Sequence, residues 1–258
     1  MEISLIWALT MAKALHIIRY LLLIALGCGI LYFLFLLFPA PFFRYKTTVG
    51  NITLYTQTPP PPNTPALLTR VSGLLERSTI DDTTIQQHVF VCRNLSLFGL
   101  LTRGRTSLAG LCDDRLTRNV YIRPADMATE RLLAPPGQSG VKDDRPLSYF
   151  IAHEITHSLE SRAAGRWNLH IPVWLWEGYA DYIGTGPQDF NRYLQLYKNR
   201  SPLMDPASGL YTRYELYMMY LLDCQHRDIR SLMAHPPVQS GIEAGLEKLA
   251  SGPLDPGK

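Results

Sequence analysis

The chain has 258 residues, which is enough for one domain with or without an appendage. Its hydrophobic fraction of 47% is high and its charged fraction of 18% is low, and the apolar excess is concentrated near the amino terminus. A formal net charge of +3 without any lysine-rich run excludes the dense basic surface by which proteins bind nucleic acids, so we expect no nucleic-acid partner.

The first predicted element is a transmembrane helix. Residues 21–38 are 18 consecutive uncharged residues, and as a helix they would measure roughly 27 Å, close to the thickness of a bilayer's hydrocarbon core. A cleaved signal peptide is the alternative, but the run exceeds the usual apolar length of about 7–15 residues, and Pro41 would follow the only plausible cleavage site, Ala40. We therefore expect residues 1–40 to be an uncleaved membrane anchor and residues 41–258 to be the domain that it carries.

The charges that flank this helix are nearly balanced. Lys13 and Arg19 precede it, and Arg44 and Lys46 follow it. Large carboxy-terminal domains cross the membrane regardless of modest flanking charge. We therefore expect a single-pass protein whose amino terminus is inside and whose domain lies on the extracytoplasmic, periplasmic side.

Residues 41–124 are predicted to contain a short sheet. Alternating residues at 49–57 favour one strand, and apolar residues at helical spacing predict a helix at 65–77. Three further short strands are predicted at residues 89–92, 108–111 and 119–122.

The four cysteines, Cys28, Cys92, Cys112 and Cys224, show no metal-binding spacing. Cys92 and Cys112 lie in or beside predicted strands, and they could pair as a disulfide if the domain lies outside the cytosol. The alternative is that they are unrelated buried thiols. The sequence leaves both interpretations open.

Residues 125–258 are predicted to be mainly helical. One helix is expected between Pro146, which a first helical turn tolerates, and Gly165, which favours a stop. Its apolar positions recur at helical spacing; they are Leu147, Phe150, Ile151, Ile155 and Leu159. Later helices are expected at residues 189–199, 211–224 and 242–250.

The chemistry-bearing stretch lies inside the first of these helices. His153-Glu154-Ile155-Thr156-His157 has the pattern H-E-x-x-H, in which the two histidines lie one helical turn apart on the same face. Two imidazoles so placed can bind one zinc ion, and Glu154 lies beside them, free to take a proton from a water molecule. Glu160, one turn further, is expected to be a surface or supporting residue rather than a ligand.

A catalytic zinc ion needs a third protein ligand and one open position. The best candidate is Glu177, which lies in WLWEGYADY after a gap that can hold a reversal and the start of a second helix. Asp181 follows four residues later on the same face, where it can accept a hydrogen bond from a ligating imidazole and fix its tautomer.

HEITH followed by WLWEGYADY resembles the gluzincin zinc metallopeptidases, with features of their thermolysin-like and aminopeptidase-like branches. The resemblance covers roughly residues 145–185. Together with the anchor and the strands and helices predicted above, it leads us to expect an α+β architecture in which a transmembrane helix precedes a small zincin-like domain with a short mixed sheet and a mainly helical carboxy-terminal half. It also implies Zn²⁺ on His153, His157 and Glu177, with Glu154 as the general base for peptide hydrolysis.

The resemblance also implies residues that contact a peptide or protein substrate. Gluzincins receive the substrate as an added strand at a sheet edge, and the candidate here is the strand with Asn119, Val120 and Tyr121. An ordinary interior strand is the alternative. Gluzincins also place a Tyr or His after the third ligand to stabilise the oxyanion. Tyr214 and Tyr211 are the candidates for this catalytic role, with His226 and His170 behind them and simple packing as the alternative.

Other classes stay in competition with a membrane-anchored zinc endopeptidase. A metzincin is excluded because Glu160 and Ala163 stand where that class has glycine and histidine. An anchored aminopeptidase is the nearest alternative, although the chain has no G-x-M-E-N stretch to hold a free amino terminus. A non-catalytic, membrane-tethered zinc-binding protein is the alternative from another class.

Overall fold

A long amino-terminal helix, α1 (Glu2–Leu37), opens the computed structural model, which describes residues 2–134, 144–165, 171–205 and 210–251. Within α1, Leu15–Leu37 is long and apolar enough to cross a membrane. Most of its large apolar side chains between Leu15 and Leu34 are exposed, whereas Leu36 near its end is buried. The apolar helix expected at residues 21–38 is thus confirmed as an element, and it begins earlier than expected.

The chain divides into two compact units, Met1–Phe42 and Phe43–Lys258. The second unit contains a five-stranded mixed sheet with the spatial order β1-β2-β3-β5-β4. Its strands are β1 (Tyr45–Val49), β2 (Ile52–Thr56), β3 (Gln87–Val91), β4 (Gly110–Cys112) and β5 (Val120–Ile122). The pairs β1–β2 and β5–β4 are antiparallel, whereas β2–β3 and β3–β5 are parallel.

The strand expected at residues 49–57 is confirmed as β2, Ile52–Thr56, but it begins later than expected because the chain reverses before it. The preceding strand β1, with which β2 forms a hairpin, was not expected. Gly50 takes φ +56° in the turn, a left-handed conformation that glycine adopts without steric cost. The strands expected at residues 89–92 and 119–122 are confirmed to within two residues, and the one expected at 108–111 lies at Gly110–Cys112.

Strand β5 lies inside the sheet and not at its edge. It pairs with β3 on one side and with β4 on the other. The expectation that Asn119, Val120 and Tyr121 receive a substrate strand is therefore wrong, because their strand has no open side.

The disulfide interpretation is also wrong: Cys92 and Cys112 are both free, buried thiols. Cys92 directly follows β3, Cys112 lies on β4, and β5 separates those strands. Two inter-strand spacings of about 4.8 Å already exceed the Cα separation of about 7 Å that a disulfide can bridge.

The rest of the unit is mainly helical. Its helices are α2 (Thr64–Leu75), α3 (Leu95–Leu101), α4 (Leu147–Ala164), α5 (Val173–Gly184), α6 (Phe190–Lys198), α7 (Thr212–Met218), α8 (Ile229–Ala234) and α9 (Gln239–Ser251). A π-helical segment, Met219–Cys224, continues α7, and a small hairpin joins β6 (Ala125–Asp126) to β7 (Arg131–Leu132). The helices expected from the sequence are confirmed, whereas α3, α8 and the small hairpin were not expected.

Helix α4 packs against strands β4 and β5 of the sheet and against helices α2 and α5. Pro146 caps its amino-terminal end, and Gly165, at φ +82°, ends it. Every residue from Leu147 to Ser161 is buried. Burying the polar residues of such a helix costs free energy unless each forms a hydrogen bond or an ion pair. The partners of these residues therefore indicate where a functional site lies on the helix.

Candidate metal centre

Three side chains converge where α4 faces α5. The Nε2 atoms of His153 and His157 lie 3.5 Å and 3.7 Å from Glu177 Oε2, and one ligand atom from each residue lies within 4.8 Å of the others. Ligand atoms of a tetrahedral zinc site, with bonds of about 2.0–2.1 Å, lie roughly 3.3–3.5 Å apart. The three residues therefore fit a metal ion of this size. Two imidazoles and a carboxylate suit zinc and also other first-row metals.

Close helix packing fixes the position of Glu177. The next residue, Gly178, faces α7, and a Cβ atom there would lie only 2.6 Å from the carbonyl oxygen of Tyr214. The absence of a side chain at Gly178 thus lets α5 pack closely against α7, while the side of α5 that carries Glu177 faces α4.

Buried carboxylates orient both imidazoles. The Nδ1 atom of His153 donates to Asp181 Oδ1 at 2.9 Å, and that of His157 donates to Glu160 Oε2 at 2.8 Å. Asp181 is 1% exposed and Glu160 is fully buried. Since each Nδ1 atom carries the proton, each Nε2 atom is left to bind a metal. The structure thus places Asp181 where the sequence predicted it and assigns Glu160 a supporting position.

A hydrogen-bonded chain supports Asp181 in turn. Arg145 donates to the hydroxyl of Tyr149, which donates to Asp181. The guanidinium of Arg145 also lies 4.0 Å from the centre of the Tyr149 ring. These contacts fix the carboxylate that fixes His153, and no sequence pattern indicated them.

The charges of the metal-free centre are mutually dependent. Burial opposes the charged imidazole, but hydrogen bonds to Asp181 and Glu177 outweigh it and raise the pKa of His153 to about 9. Burial likewise opposes the charged form of Glu177, yet its hydrogen bonds to His153 and His157 lower the pKa of that carboxyl. Protons thus supply the positive charge that a divalent cation would supply, so metal binding must displace them.

Glu154 lies beside the three ligands and is held by the edge of the sheet. Its Oε2 atom accepts a hydrogen bond of 2.8 Å from the backbone N–H of Cys112 on β4. Burial raises the pKa of the Glu154 carboxyl, and the nearby imidazoles of His153 and His157 oppose that rise. A carboxyl group so placed suits a general base, because it can both accept and return a proton.

Strand β4 provides the open edge that β5 lacks. The backbone N–H of Arg123 donates to the Ala109 carbonyl, and the backbone N–H of Asp113 donates to the Asn119 carbonyl. In an antiparallel pair, every second residue forms hydrogen bonds with the neighbouring strand, so the residues between Ala109 and Asp113 alternate in pairing with β5. The backbone groups of Gly110 and Cys112 therefore face away from β5. Cys112 uses its N–H to hold Glu154, and the remaining outward groups lie next to the metal centre.

A cleft of about 750 Å³ runs between β4 and the metal centre. The Trp176 ring forms one wall and stacks on His157, with ring centres 5.2 Å apart and planes 6° apart. Tyr211 also lines the cleft, whereas Tyr214 is not among its lining residues and stacks on Tyr211 at 5.9 Å. Of the two candidate tyrosines, Tyr211 is therefore the one that lines the cleft.

The backbone of Tyr211 is strained. Its φ of +48° places it in the left-handed region, which costs a residue with a side chain roughly 1–2 kcal/mol. Its carbonyl accepts the first hydrogen bonds of α7, from Tyr214 and Glu215. Burial, together with the charge of Glu177, raises the pKa of the Tyr211 phenol to about 12, which keeps it protonated as a donor. Of the weaker candidates, His226 is exposed, and His170 lies outside the described residues.

Replacing Glu160 with glutamine should weaken zinc binding by roughly 10- to 100-fold, because glutamine keeps the side-chain volume but loses the charge that polarises His157. Burial raises the pKa of the Glu160 carboxyl to about 7 against the opposing effect of His157, so neutral glutamine should be tolerated in the metal-free fold. Competition with a chromogenic chelator measures the affinity. Asp181→Asn is the matched change at His153, and unchanged affinity in both variants would contradict the supporting role of these carboxylates.

Replacing Gly110 with alanine should displace Glu154 without removing the metal. A Cβ atom at Gly110 would lie 2.7 Å from Glu154 Cγ and 2.9 Å from Oε1. A displacement of about 1 Å can cost roughly 100-fold in rate, so we expect a loss of that order in any hydrolysis with zinc content unchanged. Gly73→Ala is the control, because nothing lies within 4 Å of a Cβ atom there. Full activity in Gly110→Ala would show that Glu154 does not depend on this contact.

The described residues thus bring together His153, His157 and Glu177 as possible ligands, with Glu154 beside them and Asp181 behind. The sequence missed the backbone of Gly110 and Cys112, because strand order cannot be derived from a local pattern. Comparison with protein family models, with curated proteins and with solved structures found no match for this chain.

Proposed function

We propose that the chain is a membrane-anchored, zinc-dependent peptidase, and specifically an endopeptidase. The observation that carries this proposal is the convergence of His153, His157 and Glu177 beside a carboxylate, Glu154, that is not one of the three. A purely structural zinc site is closed by four protein ligands, whereas three ligands and a neighbouring base are typical of hydrolytic sites. The resemblance of HEITH and WLWEGYADY to the gluzincins supports the same conclusion.

The proposed reaction uses a small number of protein groups. When bound, zinc supplies a Lewis acid that acidifies water and polarises a carbonyl. Glu154 takes a proton from the water molecule whose oxygen attacks the carbonyl carbon of the peptide bond. When the carbon–nitrogen bond breaks, Glu154 gives that proton to the leaving amine, so that one water is consumed and two chain ends are released. Tyr211 donates a hydrogen bond to the oxygen that gains negative charge.

The open edge of β4 supports an extended peptide as the substrate. The N–H and carbonyl groups of Gly110 and the carbonyl of Cys112 face outward and can pair with a peptide backbone independently of its side chains, while the Cys112 N–H holds Glu154. Such pairing would place one peptide bond in front of Glu154, because Cys112 itself holds that carboxylate. The residues that line the cleft would then contact the peptide side chains on both sides of that bond.

The membrane assignment rests on α1. Leu15–Leu37 is long and apolar enough to cross a bilayer, and most of its large apolar side chains are exposed. We propose that this helix anchors the protein with its amino terminus inside, and that the second unit acts on the extracytoplasmic, periplasmic side.

The test is hydrolysis by the purified full-length chain in detergent. We expect quenched fluorescent peptides with blocked ends to be cleaved, a zinc chelator to abolish cleavage, and added zinc to restore it. Cleavage confined to peptides with a free amino end would identify an aminopeptidase instead. Zinc-loaded protein that cleaves neither kind of peptide would favour the non-catalytic binding protein.

A further inference from the structure

Arginines dominate the cleft outside the metal centre. Five line it: Arg103, Arg105, Arg115, Arg123 and Arg145. The acidic lining residues outside the centre are Asp113 and Asp114. Outside the metal centre, the lining residues of the cleft therefore include five arginines and two aspartates.

Two of these arginines already have acidic partners. Arg103 lies 3.4 Å from Asp113, whose other oxygen accepts a hydrogen bond from Thr117. Arg145 lies 3.7 Å from Asp181 and is held against Tyr149. These contacts explain both side chains as supports of the fold and of the metal centre.

Arg105 and Arg115 have no such explanation. Both are exposed, and neither takes part in an ion pair within the parts of the chain that the structure describes. Arg105 precedes β4 and Arg115 follows it, so they lie on the segments that flank the open edge on either side. A peptide paired with β4 would have one guanidinium towards each of its ends.

We propose that Arg105 and Arg115 select acidic peptides, each binding a carboxylate side chain on one side of the bond that faces Glu154. A guanidinium presents paired N–H donors that match the two oxygens of a carboxylate. Because both side chains are exposed, solvent and salt screen such pairs, so each arginine is expected to make a modest contribution that falls as salt is raised. This inference rests on the proposed function, because it names the class of peptide that the same site takes.

The test compares matched peptides with blocked ends that carry glutamate or glutamine on both sides of a central apolar pair. Binding is measured by fluorescence anisotropy to the zinc-loaded, full-length Glu154→Gln protein, and cleavage is measured with the protein that retains Glu154. Each of Arg105→Gln and Arg115→Gln should weaken binding of the glutamate peptide by about five- to tenfold and leave the glutamine peptide unchanged. Arg230→Gln, an exposed arginine outside the cleft, is the control. The preference should shrink when salt is raised from about 50 mM to about 500 mM.

Equal binding of the two peptides, or an equal effect of Arg230→Gln, would overturn the inference. A second measurement uses the variant that carries both Arg105→Gln and Arg115→Gln, held in neutral-lipid nanodiscs. If this variant kept the preference for the glutamate peptide but lost binding to phosphatidylserine vesicles, the inference would also be overturned, because the arginines would then bind a lipid surface. If no peptide is cleaved while the arginine-dependent preference in binding persists, the proposed hydrolysis fails and the recognition of acidic peptides stands.

Discussion

Replacing Glu154 with glutamine should lower the rate of peptide hydrolysis by about 10²- to 10⁴-fold, the contribution expected of a positioned general acid–base group. Glutamine has nearly the same shape, and its amide oxygen can still accept the hydrogen bond from the Cys112 N–H group. It cannot accept a proton from water at neutral pH. Because Glu154 is not one of the three converging residues, zinc content should stay at that of the unmodified protein.

Elemental analysis and steady-state kinetics on the same preparation separate these two effects. Glu247→Gln makes the same chemical change at an exposed position of α9, and it should leave both quantities unchanged. A Glu154→Gln protein that retains zinc and cleaves peptides at the unmodified rate would remove Glu154 from the proposed mechanism. Loss of zinc from this variant would instead place Glu154 among the ligands.

The sequence predicted the residues of the candidate metal centre because they are linked by local periodicity. His153 and His157 share a helical face, and Glu177 and Asp181 share another, so only the meeting of two helices had to be assumed. Glu160 lies three residues after His157, which is also about one helical turn, so the same periodicity places it beside His157. Its complete burial depends on the elements that pack around α4, which a helical period does not contain.

The open edge of the sheet could not be predicted in this way. Strand β5 has the more apolar sequence and lies closer to α4 along the chain, yet the earlier strand β4 takes the outer position. Strand order depends on pairing between segments that are apart in the sequence, which a local residue pattern does not contain. The result moves the candidate edge from Asn119, Val120 and Tyr121 to the backbone of Gly110 and Cys112.

Short helices were missed for a different reason. Helices α3 and α8 have seven and six residues, too few to establish a periodic pattern. Their local signal is the capping residue: Asn94 accepts from the Leu97 N–H group, and Asp228 accepts from the Ser231 N–H group. These two capping residues could have been found from the sequence.

Replacing His157 with alanine should abolish stoichiometric zinc binding. Two ligands would remain, and the stack with Trp176 would be lost, so the affinity should fall well beyond the roughly 10- to 100-fold expected for a supporting carboxylate. In the unmodified protein, zinc at about 100 times its dissociation constant should add about 2.7 kcal/mol to the free energy of unfolding. In the variant, the thermal unfolding midpoint should not respond to zinc.

The change also removes the hydrogen-bond partner of the buried Glu160, so the metal-free fold itself must be checked by circular dichroism. Glu177→Gln provides an independent arm: it removes the third ligand's charge while nearly preserving its volume, and it should also lose zinc. His235→Ala, at an exposed histidine beyond α8, controls for loss of an imidazole in general. The proposed ion needs ligands from both α4 and α5. A folded His157→Ala or Glu177→Gln protein that still held one zinc per chain would therefore show that the zinc binds elsewhere.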